Sequence, residues 1–548
     1  MPILKNGISK FLLLFLFTIL TFPAFAQSSG DGSSYLQMGM IAVVAILILG
    51  AVLQIADSLL RVEAKNLGLD RDNTNFSLFP SASEIFKPKT PDFIDQAQRV
   101  VNLDSGFDIN LAGEAEKEMR LVNPTTFAVK PADFVGMSPI PKVLVEPGHE
   151  VKAGDILFFD KKRPDVKYVA PVSGEVIAVN RGEKRAIAEV VILADKKQMS
   201  YRSYTAPDLN TTAREDLVAF LLESGVWPMI RQRPYEVVAD PLDIPKNIFI
   251  STFDSAPLAP DLNYVIMGKE VAFQKGLDVL GKLTMGTVHL GLDARGTQPA
   301  PAFTQATGVE KTYYHGPHPS GNVGIQIHHT SPISANERVW VLGVQEVVTI
   351  GKLFTEGRYD AERVIAVTGA ELTTPTYINT FIGANIDSLI KDNLNNDHVR
   401  IVSGDVLSGK AVEASGHLGF YDDQVTVLEE GDEYEMFGWL LPLAPRPTIS
   451  NTYPNALFPS YKFTANTNTH GEERAFVVTG QYEKVLPMDI YPQQLMKAIL
   501  VNDYERMEGL GIYELSEEDV ALCEFVCTSK QPVQQILRRG LDMMREQG

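Results

Sequence analysis

The sequence predicts an α+β protein of several domains behind one transmembrane helix, and three observations point there. At 548 residues the chain is too long for a single core, since domains run to roughly 100–200 residues. One apolar run near the amino terminus is long enough to cross a bilayer, whereas the whole chain has a globular composition, 45% hydrophobic and 21% charged. Beyond that run, short β-rich stretches cut by Pro-Gly and Ala-Gly turns give way to mixed helix and strand patterns.

The first element, residues 1–26, opens with Lys5 and Lys10, continues through Phe11-Leu12-Leu13-Leu14-Phe15-Leu16-Phe17 and ends in Ala24-Phe25-Ala26. That charged, apolar and small-residue order is that of a signal peptide, with cleavage expected after Ala26. Residues 35–56 are apolar apart from flanking Tyr35, Gln37 and Gln54, and as a helix they would span ~30 Å, the thickness of a bilayer core. By parity the first segment starts inside and the second returns the chain inward, to Arg61, Lys65 and Arg71. The expected placement is a single pass through the inner (cell) membrane after signal removal, with the bulk of the chain cytoplasmic.

Residues 57–102 are polar and broken by Pro80, Pro88 and Pro91, which reads as a linker with one short amphipathic helix at 93–101. Residues 103–205 hold short strands, among them Lys142-Val143-Leu144-Val145, Asp155-Ile156-Leu157-Phe158-Phe159, Gly174-Glu175-Val176-Ile177-Ala178-Val179 and Ala188-Glu189-Val190-Val191-Ile192. Strands this short and regular predict a small barrel or flattened sandwich. The stretch 147–157 with Ala170-Pro171-Val172-Ser173-Gly174 resembles the barrel-sandwich fold of biotinyl and lipoyl carrier domains. A working carrier presents a lysine in a Met-Lys-Met or Asp-Lys-Ala context. The loop here, Asp160-Lys161-Lys162-Arg163-Pro164-Asp165, has neither, so the fold is expected to serve as structure.

Residues 206–360 read as an α/β domain, with an amphipathic helix at 212–222 capped by Thr212 and ended by Gly225, and buried strands such as Asn247-Ile248-Phe249-Ile250 and Arg338-Val339-Trp340-Val341-Leu342. Residues 361–450 return to strand and turn. Residues 451–548 close with helices, one opened by the capping sequence Ser516-Glu517-Glu518-Asp519.

Charge and cysteine content exclude several functions. A net charge of −19 disfavours nucleic acid and anionic lipid surfaces, which need a basic face. Two cysteines, Cys523 and Cys527, leave no disulfide framework and suit a reducing cytoplasm. Lying four apart on a helix they share a face, but an iron–sulfur cluster needs four ligands, so both read as buried helix residues.

Three other motifs carry a chemical reading beside a structural one. Gly404-Asp405-Val406-Leu407-Ser408-Gly409-Lys410 follows a strand and has the glycine and lysine spacing of a phosphate-binding loop. Ala411 stands where that loop needs a hydroxyl, and a poor helix follows, so a hairpin turn is expected. His315, His318, His328 and His329 cluster without cysteines or ordered carboxylates, which reads as turn and core histidines rather than a metal site. Gly316-Pro317-His318-Pro319-Ser320-Gly321-Asn322-Val323-Gly324 could wrap a ligand with backbone amides, yet it lacks the glycine fingerprint of a dinucleotide fold. No catalytic, cofactor-binding or metal-binding residue is assigned.

Taken together, the segments resemble the NqrA subunit of sodium-translocating NADH:quinone reductases. The resemblance rests on 150–157, on Ala170 to Asn180-Arg181-Gly182, on Leu221-Leu222-Glu223-Ser224-Gly225-Val226-Trp227, on 318–328, on Gly351-Lys352-Leu353-Phe354, on 402–410, on Glu429-Glu430-Gly431 with Phe437-Gly438-Trp439, and on Leu522 to Cys527. It runs from about residue 103 to the end; the segments before it are additional to the family's pattern. In domain order the family also resembles the flavin- and iron–sulfur-bearing subunits of complex I and of the Rnf complexes, whose Cys-x-x-Cys motifs are absent here.

The resemblance implies a β-grasp ligand-binding-like module at 361–450 and five other subunits as partners. It implies a membrane complex that oxidises NADH, reduces ubiquinone or another quinone, and moves sodium from cytoplasm to periplasm. NADH, flavins and iron–sulfur centres would belong to the other subunits. This chain would hold no cofactor and would catalyse nothing alone, serving as a scaffold with at most a quinone-proximal surface. Two other readings are a periplasmic membrane-fusion adaptor, which needs the opposite orientation and a coiled-coil hairpin, and an Rnf-type electron-transport protein, which needs more cysteines.

Overall fold

The computed structural model falls into two units, Met1–Thr90 and Pro91–Gly548. It describes residues 91–196, 198–434, 445–450 and 460–547, with short helical stretches between residues 43 and 63. In the first unit those stretches carry exposed apolar side chains, among them Val44, Ile48, Leu49, Val52 and Leu59. The signal-like residues 1–26 and much of the expected membrane span 35–56 lie outside the described residues, as does most of the linker. Among the described residues no helix is long and apolar enough to cross a membrane.

The second unit opens with two edge strands, β1 (Arg99–Asn102) and β2 (Glu116–Arg120), each joining a sheet built mostly from residues far along the chain. The helix expected at 93–101 is absent. Residues 92–97 form turns, and β1 pairs in parallel with a strand some two hundred residues later, Val100 opposite Tyr313. Burial of Ile94 and a β-branched Val100-Val101 pair against a ready sheet edge outweigh a weak local helical pattern.

Strands β3 (Thr126–Val129), β4 (Lys142–Val143), β5 (Glu150–Val151), β6 (Ile156–Asp160), β7 (Arg163–Val169), β8 (Gly174–Arg181) and β9 (Ile187–Ala194) build the barrel-sandwich region. One sheet has the order β3-β9-β8-β5 and the other β4-β6-β7. Leu157, Phe158, Tyr168, Val176, Val190 and Ile192 are buried in it, with the Phe158 and Tyr168 rings stacked 5.1 Å apart. Lys161 and Lys162 form the tip of the β6–β7 hairpin.

The α/β region begins with helix α1 (Arg214–Glu223), followed by β10 (Arg231–Arg233), β11 (Val237–Val238) and β12 (Asn247–Ser251). Next come α2 (Glu270–Gly281), β13 (Val288–Asp293), β14 (Glu310–His315), α3 (Val323–Thr330), β15 (Val339–Leu342) and α4 (Val344–Glu356). Thr212 does not cap α1. Its hydroxyl donates to the Asp208 carbonyl at 2.7 Å, and Ala213 takes the cap position.

The sheet order is β1-β14-β13-β12-β15-β10-β11, with the first five strands parallel and β10 antiparallel to both neighbours. Strands β12 and β15 are apolar almost without alternation because helices or other strands cover both faces. Helices α2 and α4 cross at glycines: a Cβ on Gly351 would stand 1.7 Å from the Ala272 carbonyl oxygen, so the backbones meet directly. Trp227 and Trp340, both fully buried, meet edge to face at 5.4 Å and lock α1 and β10 against β15.

A second mixed sheet contains β16 (Glu362–Thr368), β17 (Thr376–Phe381), β18 (Val399–Ser403), β19 (Lys410–Val412) and β20 (Gln424–Glu429), in the order β19-β18-β20-β16-β17-β2. Strand β20 lies parallel beside β16. Helices α5 (Pro492–Leu500), α6 (Tyr504–Gly509), α7 (Glu517–Phe525) and α8 (Val533–Gln547) close the chain around Leu495, Ile499, Leu522, Leu537 and Leu541. Helix α7 starts at the expected capping box, in which Ser516 and Asp519 satisfy each other's backbone amides.

Candidate functional site: a closed crevice at the sheet's carboxyl edge

In an open parallel sheet, ligands bind beyond the carboxyl ends of the strands, where the strand order reverses. Here β12, β13 and β14 step outward in turn, and β15 then returns to the other side of β12, so the reversal lies between β12 and β15. The loop leaving β12, residues 252–260, contains no glycine, so the close backbone approach that a dinucleotide diphosphate requires is not provided for.

Protein groups fill the crevice. Gln326 of α3 is buried, and its Nε2 donates to Ser251 Oγ at 2.8 Å at the end of β12. A Cβ on residue 291 would stand 2.0 Å from Gln326 Oε1, so only Gly291 leaves room for it. Gly321 N donates to Ser255 Oγ at 2.8 Å, and that hydroxyl also meets His318 Nδ1 at 3.0 Å.

The glycine-containing run 316–324 therefore does not wrap a ligand with its amides. His318 N donates to Asp108 Oδ1 at 2.8 Å, Ser320 N to the Pro317 carbonyl at 3.0 Å and Asn322 N to the Pro319 carbonyl at 3.0 Å. With Gly321 already paired to Ser255, the amides at the loop's centre are spent inside the protein.

The run 404–410 is the β18–β19 hairpin turn, with Ser403 opposite Lys410. Asp405 Oδ1 accepts from Leu407 N at 2.7 Å and Ser408 N at 3.1 Å, capping with its own carboxylate the amides that a phosphate would use. The two runs singled out separately in the sequence meet here, since His318 and Asn322 from one, and Asp405, Leu407 and Ser408 from the other, line the same space.

That space is ≈ 40 Å³, room for a few waters, whereas small-molecule sites occupy roughly 300–1,000 Å³. Its remaining walls include Asp254 and Glu518. Burial raises the Glu518 carboxyl above its ordinary range despite Arg233 beside it. Burial likewise depresses His318 to about 4, so its imidazole is neutral, and its Nε2 has no hydrogen-bond partner among the described residues.

The other histidines hold structure together. His328 Nε2 accepts from Asp489 N at 3.1 Å, so its Nδ1 carries the proton and donates to Glu514 Oε2 at 2.7 Å. His329 Nε2 donates to the Pro487 carbonyl at 2.7 Å. At the end of β14, the His315 carbonyl accepts from Leu103 N at 2.8 Å. Among the described residues no three histidine, cysteine or carboxylate side chains converge as metal ligands. Cys523 and Cys527 are buried, the Cys527 sulfur accepts the Tyr482 hydroxyl at 3.0 Å, and burial pushes the Cys523 thiol far up, which keeps it protonated and unreactive.

One cluster escaped the sequence reading. Arg233 is fully buried and pairs with Asp519 at 2.8 Å and Glu518 at 2.7 Å, with Glu236 close by as well. Arg231 also reaches Glu236, at 2.6 Å. The available signal was two arginines in Arg231-Gln232-Arg233, flanked by apolar runs that had to be buried. Asp519 thus caps α7 and clamps it to β10 at once.

Models of the NqrA N-terminal barrel-sandwich hybrid domain, the NqrA second alpha/beta domain and the NQRA C-terminal domain match residues 101–195, 212–359 and 364–414. The NqrA subunit of the Na(+)-translocating NADH-quinone reductase of Alcanivorax borkumensis is 39% identical over 457 residues, covering 82% of this chain and 100% of that one. The proteins of the same name from Yersinia pseudotuberculosis (38%) and Psychromonas ingrahamii (36%) cover the same shares. An NAD+-reducing [NiFe]-hydrogenase chain aligns over 63% of this chain and 66% of its own length at 12% identity with a TM-score of 0.32, too low to bear on the fold. With every residue of such relatives spanned at this identity, the chain belongs to the NqrA family of Na(+)-translocating NADH-quinone reductase subunits.

Proposed function

We propose that the chain is a scaffold subunit of a sodium-translocating NADH:quinone reductase and carries no redox centre itself. The observation that carries this reading is the pairing of full-length kinship with a filled crevice where a nucleotide or flavin would sit. The electron-carrying groups, flavins and iron–sulfur, belong to five partner subunits, and any role in quinone chemistry is that of a surface beside them. On this reading the chain catalyses nothing by itself. The periplasmic adaptor and Rnf-type readings have no support from these relatives.

Within the chain we assign 103–205 to the barrel-sandwich domain, 206–360 to the α/β domain, 361–450 to a β-grasp-like module and 451–548 to the helical end. The parallel pairing of β16 with β20 supports the β-grasp reading. Residues 1–26 act as a signal, 35–56 as the single span of the inner membrane and 57–90 as a linker, with the remainder in the cytoplasm. The expected linker end at 102 moves back because Arg99–Asn102 is a strand of the seven-stranded sheet. Affinity purification of the full-length chain from native membranes in mild detergent tests the reading. Five co-purifying subunits with sodium-stimulated NADH:quinone reductase activity are expected; a chain recovered alone, or with an outer-membrane channel, would overturn it.

A further inference from the structure

Because β1, β14, β13, β12 and β15 are parallel, the segments that precede them share the opposite, amino edge of the sheet. Three of these segments touch in sequence: the Thr284 hydroxyl donates to the Pro245 carbonyl at 2.8 Å, and Lys246 Nζ to the Pro332 carbonyl at 3.2 Å. Along this row of segments Leu242 is 91% exposed, Met285 88% and Ile244 50%.

The row leads to a cleft of ≈ 390 Å³ between the loop Ile333-Ser334-Ala335 and the carboxyl-terminal helices. Its walls present Tyr491 and Tyr513 together with the carboxylates of Asp489, Glu508 and Glu514, the last of which also holds His328 Nδ1, and among the described residues they include no lysine or arginine. Tyr491 is 60% exposed, so the cleft has an aromatic lip.

We propose that this edge docks a lysine- or arginine-bearing cytoplasmic segment of a membrane-embedded partner protein, a basic side chain entering the cleft between the tyrosines while Leu242, Ile244 and Met285 pack beside it. The inference rests on the reading of the chain as one component of a membrane complex. Membrane proteins concentrate Lys and Arg on their cytoplasmic ends, and guanidinium or ammonium groups bind both carboxylates and tyrosine faces. An anionic bilayer surface meets three carboxylates and is repelled, and a second copy of the chain would set the same carboxylates against themselves.

A photocrosslinking benzoylphenylalanine at position 491, in the full-length chain co-expressed with the rest of the complex, tests this. One partner subunit is expected to be captured through a peptide containing Lys or Arg. Glu508→Lys, at an exposed position, is expected to lower that yield about tenfold while leaving the chain's unfolding temperature unchanged. Capture of lipid, of a second copy, or of no subunit from a complex that still purifies whole overturns the inference and leaves the scaffold reading standing, as does an unaltered yield with Glu508→Lys. A chain that purifies without partner subunits sinks both.

Discussion

The two edges of the seven-stranded sheet have opposite characters. At the carboxyl edge, where folds of this topology bind nucleotides, side chains fill the crevice down to ≈ 40 Å³ and the loop amides are spent within the protein. At the amino edge a cleft of ≈ 390 Å³ stays open beside exposed leucine, isoleucine and methionine. The carboxyl edge is packed as core, and the amino edge is left as surface. The difference shows why fold alone does not assign chemistry.

The sharpest test of that contrast is Arg233→Met. It leaves Glu518, Asp519 and Glu236 without their buried cation, and a loss of about 3–5 kcal/mol is expected in denaturant unfolding. Hydrogen exchange should then rise first at residues 316–326, which rest on α7 through Asn322 Nδ2 and the Glu518 carbonyl, 3.0 Å apart.

Next in size is a pH effect at His318. Its folded value of about 4 lies below the unfolded value near 6.5, so the unfolded chain binds the extra proton. The stability from this group is therefore whole above pH 6.5 and is lost as pH falls toward 4, about 3 kcal/mol across the window. His318→Gln should flatten that part of the stability–pH curve; an unchanged slope would mean that the ring is not the buried neutral group described.

Gly291→Ala should cost about 1–3 kcal/mol by pressing on Gln326, and Gln326→Ala in the same chain should recover part of the loss, because the clash is mutual. The smallest effect belongs to the other edge. Met285→Ser should change stability by no more than about 0.5 kcal/mol, since the side chain already stands in solvent, while weakening retention in the complex. A large folding defect there would mean that the amino edge is core as well.

What the sequence discloses tracks how local each interaction is. The hairpins of the barrel-sandwich region, the apolar strands β12 and β15 and the Ser516–Asp519 capping box depend on neighbours a few residues away, and their patterns show it. The helix read at 93–101 and the Thr212 cap fail for the opposite reason. A distant sheet edge recruits β1, and Asp208 takes the Thr212 hydroxyl before it can cap. The hairpin expected at 404–410 is present, and 316–324 spends its central amides within the protein. Their meeting at one crevice was hidden, as was the Arg233 cluster, because each joins segments more than eighty residues apart.

The most direct test of the central claim is the flavin and iron content of the purified full-length chain, followed by titration with flavin mononucleotide and NADH in a calorimeter. A featureless visible spectrum and no heat of binding are expected from a filled crevice. Stoichiometric flavin, or saturable nucleotide binding that Gln326→Ala strengthens, would contradict it.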